Sequence, residues 1–385
     1  MSAAGDTLPP GATIGIIGGG QLGRMSALAA ARLGYRCHIL SPEADCPAAL
    51  VAAGHTLGDY EDTAALAAFA ARVDVVTFEF ENVSAAGLDL LAARRPVRPG
   101  VEVLRISQDR VLEKSFLNSI GVPTAPWRAV ESLAGLREAV ASLGLPAILK
   151  TTRLGYDGKG QVALRAAGDL APGFERLAPK PLVLEGFVDF ACEISVIVAR
   201  GPDGRMVSFA PVENRHRDHI LDLTLAPARI AEQTATAATR IAEAVAEGLG
   251  LVGLLAVEMF VTADNRVLVN EIAPRPHNSG HWTIDACPAS QFELHIRAVA
   301  GLPLPVAERH SDAVMKNLVG PDEIALWPEI VATPGLIPHH YGKADPRPGR
   351  KLGHVTRLFP RGALPGPFGL ADALGGLAPA DLTEG

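Results

Sequence analysis

Two glutamates carry the sharpest chemical signal in the chain. Residues 254–262 and 266–272 read as two strands joined at Asp264-Asn265, a pair suited to a two-residue hairpin turn. That register sets Glu258 directly opposite Glu271 on one face. Facing carboxylates destabilise a hairpin unless something neutralises them, and the Leu, Val and Phe neighbours make these strands read as mostly buried. A hard divalent cation with oxygen ligands is the natural neutraliser, and Mg²⁺ carrying a nucleotide fits best. A solvated hairpin face is the alternative. Directly downstream the chain reads APRPHNSGHW from Ala273 to Trp282. His277 and His281 have the i, i+4 spacing of a zinc-binding helix. Pro276, Asn278, Ser279 and Gly280 disfavour a helix there, so zinc is not expected. Arg275, His277 and Asn278, beside the metal edge, suit a small oxyanion.

Two glycine-rich turns point to phosphate. In KTTRLGYDGKGQ, from Lys150 to Gln161, three glycines let backbone N–H groups close over phosphate oxygens, while Lys150 and Lys159 supply positive charge. The GK[ST] ending of a Walker A loop is absent, and a flexible hairpin loop is the plainer reading. Near the start, Gly18-Gly19-Gly20-Gln21-Leu22-Gly23 fits GxGxxG, with Glu43 about twenty residues on. This is either a dinucleotide fingerprint or a strand-to-helix turn that needs glycine for packing; on both readings the turn suits an anion. Towards the end, Lys343, Arg347, Arg350, Lys351 and Arg357 are opposed locally only by Asp345. They read as a phosphate pocket or as a solvated loop.

The elements that must position these residues change character along the chain. Strands at 13–17, 37–40 and 73–80 alternate with helices at 24–33 and 63–71, which predicts a parallel, doubly wound α/β domain ending near Arg105. A helix at 109–119 leads to the stop Gly121-Val122-Pro123. From Leu145 short strands (147–150, 182–185, 194–198, 206–211) predict antiparallel sheet with one long helix at 228–249. After Gly301 the chain is Pro- and Gly-rich and carries a basic segment at 339–357. A length of 385 residues suggests two or three domains, and 48% hydrophobic with 20% charged residues excludes disorder. The net charge of −7 argues against a non-specific nucleic-acid or anionic-membrane binder. Four scattered cysteines without a CxxC pair fit a reduced, cytoplasmic protein. Residues 1–11 lack a basic and apolar leader pattern, so no signal peptide is expected, and no apolar run approaches membrane-spanning length.

Taken together the motifs resemble the ATP-grasp enzymes and, within them, the 5-(carboxyamino)imidazole ribonucleotide synthases. GGGQLGRM at Gly18, QDRVLEK at Gln108, GYDGKGQ at Gly155, LEGFV at Leu184, NEIAPRPHNSGHWT at Asn270 and RPGRKLGHV at Arg347 carry the resemblance, in the family's order. It implies an α/β and α+β chain: a Rossmann-like pre-ATP-grasp domain over 12–106, an ATP-grasp domain with a glycine-loop lid over 107–300, and a small C-terminal domain and tail over 301–385. The implied reaction joins bicarbonate to 5-aminoimidazole ribonucleotide with ATP as substrate and Mg²⁺ (Mn²⁺ as a substitute), through carboxyphosphate, in purine synthesis. The implied partners are these small molecules, without nucleic acid or membrane, in a homodimer.

The resemblance also assigns residues. Arg110, Lys150 and the loop Gly155, Tyr156, Asp157, Gly158, Lys159, Gly160 and Gln161 match the nucleotide grip. Glu185, Gly186, Phe187 and Val188 match the adenine strand, Glu193 the ribose contact and His216 a further nucleotide position. Glu258 and Glu271 match the metal carboxylates. Asn270 matches beside Glu271, although strand parity points it to the other face. Arg275, His277 and Asn278 are assigned to bicarbonate and carboxyphosphate, Asp157 to the amine proton, and Lys351 to the substrate and its chemistry. Gln21, Leu22, Lys343 and Arg350 complete the ribonucleotide side. Two alternatives stay open: another ATP-grasp ligase such as formate-dependent glycinamide ribonucleotide transformylase, and an NAD-dependent dehydrogenase resting on GxGxxG and Glu43.

Overall fold

The computed structural model describes residues 7–155, 159–366, 369–375 and 377. Its first sheet has four parallel strands in the order Gly54–Leu57, Arg36–Ser41, Thr13–Ile17, Val75–Phe78. Both faces are apolar because both are covered. Ile14, Ile16 and Ile39 pack with helices Gln21–Arg32 and Gln291–Ala300; Ile17, Leu40 and Phe78 pack with Thr63–Ala70 and Ala85–Ala92. Asp62 starts the helix Thr63–Ala70 by accepting from the Ala64 and Ala65 amides.

A second, antiparallel sheet orders Trp127–Val130, Leu182–Gly186, Ala147–Thr151 and Gln161–Leu164. Helices Leu133–Leu143 and Leu170–Leu177 cover one of its faces through Leu136, Leu149, Leu164 and Leu170. The opposite face carries Ile148, Lys150 and Glu185 towards the cleft described below.

The third sheet is the largest, with nine antiparallel strands. Val267–Ala273, Gly253–Val261, Cys192–Arg200, Val212–Arg217 and Ile220–Ala226 lead into Asp312–Val319, Lys351–Phe359 and Leu336–His340, with Met206–Ser208 paired to Cys192–Arg200. Alternation along the central strands sorts their side chains. Val196, Val198 and Leu255 meet helix Glu232–Gly248, while Ile197, Ala199 and Leu254 meet the side that carries Gln291–Ala300. The segment read from sequence as Pro- and Gly-rich thus supplies three strands, and Asp312–Val319 pairs with Ile220–Ala226, so the sheet runs unbroken across residue 301.

The hairpin of the two glutamates reaches the expected pair by a different route. Asn265 N–H donates to the Thr262 carbonyl at 2.9 Å and Thr262 N–H to the Arg266 carbonyl at 3.0 Å, with Asn265 at φ 64°. The loop therefore has three residues, with Asn in the left-handed position that suits it. Val261 pairs with Val267 and Met259 with Val269, one residue out of the sequence-derived register. A bulge at Asn270 then restores it, and Glu258 faces Glu271.

Candidate active site

The three sheets surround one cleft of about 730 Å³. Glu258 and Glu271 line it side by side with Asn270. The bulge is the reason: an extra residue resets the pleat, so Asn270 and Glu271 both reach the cleft, contrary to the parity expectation. The Asn270 Oδ1 is buried without a hydrogen-bond partner among the described residues. Each carboxylate is held by a cationic or polar neighbour. Arg110 Nη1 lies 3.1 Å from Glu271 Oε2 and its Nη2 donates to the Gly155 carbonyl at 3.2 Å. His277 Nε2 lies 2.9 Å from Glu258 Oε1. Burial alone would raise the Glu258 carboxyl, but the His277 contact holds it below the usual range.

A buried polar chain orients His277. Thr224 Oγ1 donates to Asn214, Asn214 Nδ2 to Ser195, and Ser195 Oγ to Ser279 at 2.6 Å. The Ser279 amide and hydroxyl meet His277 Nδ1, at 3.4 and 2.8 Å, so Nδ1 accepts and Nε2 is the nitrogen that donates towards Glu258. Asn278 beside it is buried, lines the cleft, and has neither amide atom paired among the described residues. Arg275 pairs through Nε with Glu81. Burial would raise Glu81, yet Arg275 drives it down to about 2.

The other end of the cleft is built on the second sheet. Lys150 Nζ lies 2.9 Å from Glu185 Oε2, and Lys114 Nζ 3.2 Å from Glu185 Oε1. Burial opposes the Glu185 charge, but the two ammonium groups hold its carboxyl at about 2. Gly186, Phe187, Val188, Lys159 and Gln161 also line this end, and Gly160 accepts from the Thr151 amide at 2.8 Å. Phe190 and Phe260 stack with centroids 4.7 Å apart as an apolar wall. His216 Nδ1 lies 3.2 Å from Glu193 Oε2, and Glu193 is pushed up to about 7 by burial and by Glu258 and Glu271. Tyr156, Asp157 and Gly158 lie outside the described residues.

At the first glycine turn the anion is the chain's own. Glu79, just past Val75–Phe78, accepts from the Gly20 amide and from the Gly23 amide at 2.7 Å. A Cβ on Gly18 would lie 2.4 Å from the Glu79 Cγ, so the turn must be glycine. The carboxylate fills the helix terminus where a pyrophosphate would sit, which removes the dinucleotide reading. Gln21 and Leu22 line the cleft beside it, as does Lys351. Lys343 and Arg350 are not among the lining residues: Lys343 donates to the Lys351 carbonyl at 2.8 Å, and Arg350 to the Asp345 carbonyl at 2.8 Å. His281, the other half of the zinc spacing, is fully buried against Gln291.

Sequence reading missed Glu79, Glu81, Glu113 and Lys114. The first two follow the carboxyl end of the parallel strand Val75–Phe78 at the switch point of the sheet, where open parallel α/β sheets bind ligands. Glu113 and Lys114 lie within QDRVLEK on the helix Arg110–Ser119, which Asp109 caps; Glu113 lines the cleft, and Lys114 meets it through Glu185.

Comparison with known proteins agrees across the chain. Residues 11–108 match the ribonucleotide synthetase preATP-grasp domain, 115–292 the ATP-grasp domain, and 313–362 the phosphoribosylaminoimidazole carboxylase C-terminal domain. The chain is 52% identical to the N5-carboxyaminoimidazole ribonucleotide synthase of Brucella melitensis, over 92% of its own length and 98% of that protein's. Against the synthase of Bacillus subtilis it is 43% identical, over 90% and 91%. The solved Aspergillus clavatus synthase in complex with ADP and 5-aminoimidazole ribonucleotide is similar at a TM-score of 0.89 and 30% identity, covering 97% of this chain and 99% of that one. The Staphylococcus aureus enzyme complexed with ADP gives 0.89 at 41%, covering 93% and 96%. With such identity over nine-tenths of its length, the chain belongs to the N5-carboxyaminoimidazole ribonucleotide synthase family of ATP-grasp enzymes.

Proposed function

We propose that the protein joins bicarbonate to the exocyclic amine of 5-aminoimidazole ribonucleotide at the expense of ATP, releasing ADP and phosphate. The observation that carries this reading is the 2.9 Å contact of His277 with Glu258, which unites the paired carboxylates and the oxyanion segment in one cluster. Phosphoryl transfer and bicarbonate capture then adjoin. A bicarbonate oxygen attacks the γ-phosphorus, ADP leaves, and carboxyphosphate forms. The amine attacks its carbonyl carbon, or the carbon dioxide it releases; phosphate departs and the nitrogen loses a proton. Arg275, His277 and Asn278 hold the bicarbonate and the anhydride, and the unpaired Asn278 amide suits that role. Lys150, Arg110 and the glycine loop grip the phosphates, with Glu185 to Val188 at the base and Glu193 with His216 at the ribose. Gln21, Leu22 and Lys351 face the ribonucleotide.

Glu258, Glu271 and the orphaned Asn270 Oδ1 form an all-oxygen donor set of the kind Mg²⁺ takes, so the residues fit the ion. Bound there, it supplies charge neutralisation at the phosphate oxygens. A cytoplasmic homodimer is part of the same reading. The test is an ADP-release assay with bicarbonate and 5-aminoimidazole ribonucleotide omitted in turn. Release should depend on the ribonucleotide; equal release with formate and glycinamide ribonucleotide would overturn the assignment.

A further inference from the structure

Gln291, at the start of helix Gln291–Ala300, is fully buried and does not line the cleft, yet four hydrogen bonds converge on it. Its Oε1 accepts from the His277 amide at 2.8 Å and its Nε2 donates to the His277 carbonyl at 2.6 Å. Its Nε2 also lies 3.1 Å from His281 Nδ1, and its own amide donates to Thr283 Oγ1 at 2.9 Å. The two bonds to His277 fix which way the amide points, because one backbone group needs an acceptor and the other a donor. His281 Nδ1 therefore accepts, and its proton sits on Nε2. A Cβ on Gly280 would fall 2.6 Å from the Gln291 Cδ, which explains why the turn between the two histidines has glycine there.

The tie continues beyond the turn. The His281 ring lies 4.9 Å from that of His354, whose Nδ1 meets the Tyr341 hydroxyl at 2.9 Å. His354 lies in the strand Lys351–Phe359, three residues past Lys351. His354 in turn stacks on His339 at 4.4 Å and 11°. Asp285, His339 and His354 bring donor atoms within 4.8 Å of one another, but nearly parallel rings cannot both hold one ion in their planes, so the array is a packing device. Burial lowers His281 and His354 well below the usual imidazole range, which keeps both rings neutral.

We propose that Gln291 is a positioning residue for the reaction: it fixes the backbone of His277 and, through His281 packed at a tilt against His354, holds that turn in register with the strand of Lys351. This rests on the roles proposed above for His277 and Lys351.

The test uses the full chain with Gln291→Leu, His281→Leu and His281→Asn, measuring ADP affinity, kcat and both Michaelis constants. Gln291→Leu should lower ribonucleotide-dependent kcat by about tenfold to a hundredfold with ADP affinity within about twofold of wild type. His281→Leu should also lose activity, and His281→Asn, whose amide oxygen can accept from Gln291, should restore most of it. Wild-type kcat in folded Gln291→Leu, loss of ADP affinity in step with kcat, or equal activity of the two His281 variants would each overturn the proposal. If Gln291→Leu does not fold, the His281 pair decides alone. His277→Ala separates the two levels. If it turns over normally, the role of His277 fails; if it is impaired while Gln291→Leu is not, only the positioning role fails.

Discussion

Glu271 and Glu258 can share one cleft only because each has its own partner, Arg110 for one and His277 for the other. Glu271→Gln keeps the shape and removes a charge that a divalent cation needs, so turnover should fall by at least about a hundredfold. The fold should persist, since one of two repelling carboxylates has gone and Arg110 can still reach Gly155. ADP release at saturating Mg²⁺ measures the first effect and thermal unfolding the second; near-wild-type turnover at limiting Mg²⁺ sinks the metal assignment. Glu113 poses the opposite problem. It is buried, and desolvation pushes its carboxyl up to about 8 despite Lys114. The folded protein keeps this proton while the unfolded chain, with a carboxyl near 4.5, gives it up. The stabilisation is therefore full below about pH 4.5 and is lost as pH rises to about 8. Glu113→Gln should flatten the fall in Tm between pH 6 and 8.5. Parallel curves for mutant and wild type would show that Glu113 ionises normally.

The strand Val267–Ala273 shows how one inserted residue can make a site. Without the bulge, Asn270 would point away from Glu271; with it, an amide oxygen joins the two carboxylates. Asn270→Ala should raise the Mg²⁺ concentration for half-maximal turnover by roughly tenfold while leaving Tm nearly unchanged, because the ladder does not use that side chain. An unchanged Mg²⁺ requirement would mean that Asn270 only shapes the wall. The facing glutamates were legible in the sequence because hairpin pairing is local arithmetic. The loop and the bulge were not: both depend on backbone choices at Asn265 and Asn270 that composition does not encode, and their one-residue errors cancel. The first glycine turn was legible as an anion site, but the anion is Glu79, about sixty residues away, and only the pairing of Thr13–Ile17 with Val75–Phe78 brings it there. The three C-terminal strands were hidden by Pro and Gly between them, although Val355, Thr356 and Phe359 in KLGHVTRLF are strand formers.

Across the whole molecule the cleft is divided by origin. The second sheet and the glutamate hairpin supply the end we assign to the nucleotide, while the first glycine turn and the last long strand supply the other. Helix Gln291–Ala300 locks the halves together, since one side packs on Ile14 and Ile16 and the other on the large sheet. Lys351 begins Lys351–Phe359 and lines the same cleft as Lys150 and Glu185. Lys351 and Lys150 stand on different sheets, which should make their effects separable. A dianionic ribonucleotide phosphate in an acidic protein needs local positive charge, and one charge-assisted contact is worth about 1.5–3 kcal/mol. Lys351→Ala should therefore raise KM for 5-aminoimidazole ribonucleotide by roughly tenfold to a hundredfold and leave KM for ATP within about twofold. Burial and Arg350 lower neighbouring Lys343 to about 8, and its ammonium is spent on the Lys351 carbonyl, so Lys343 should not replace the lost charge. Both constants should be measured at fixed ionic strength. A larger loss for ATP than for the ribonucleotide would move Lys351 to the nucleotide end, and no loss for either would leave it a bystander on the rim.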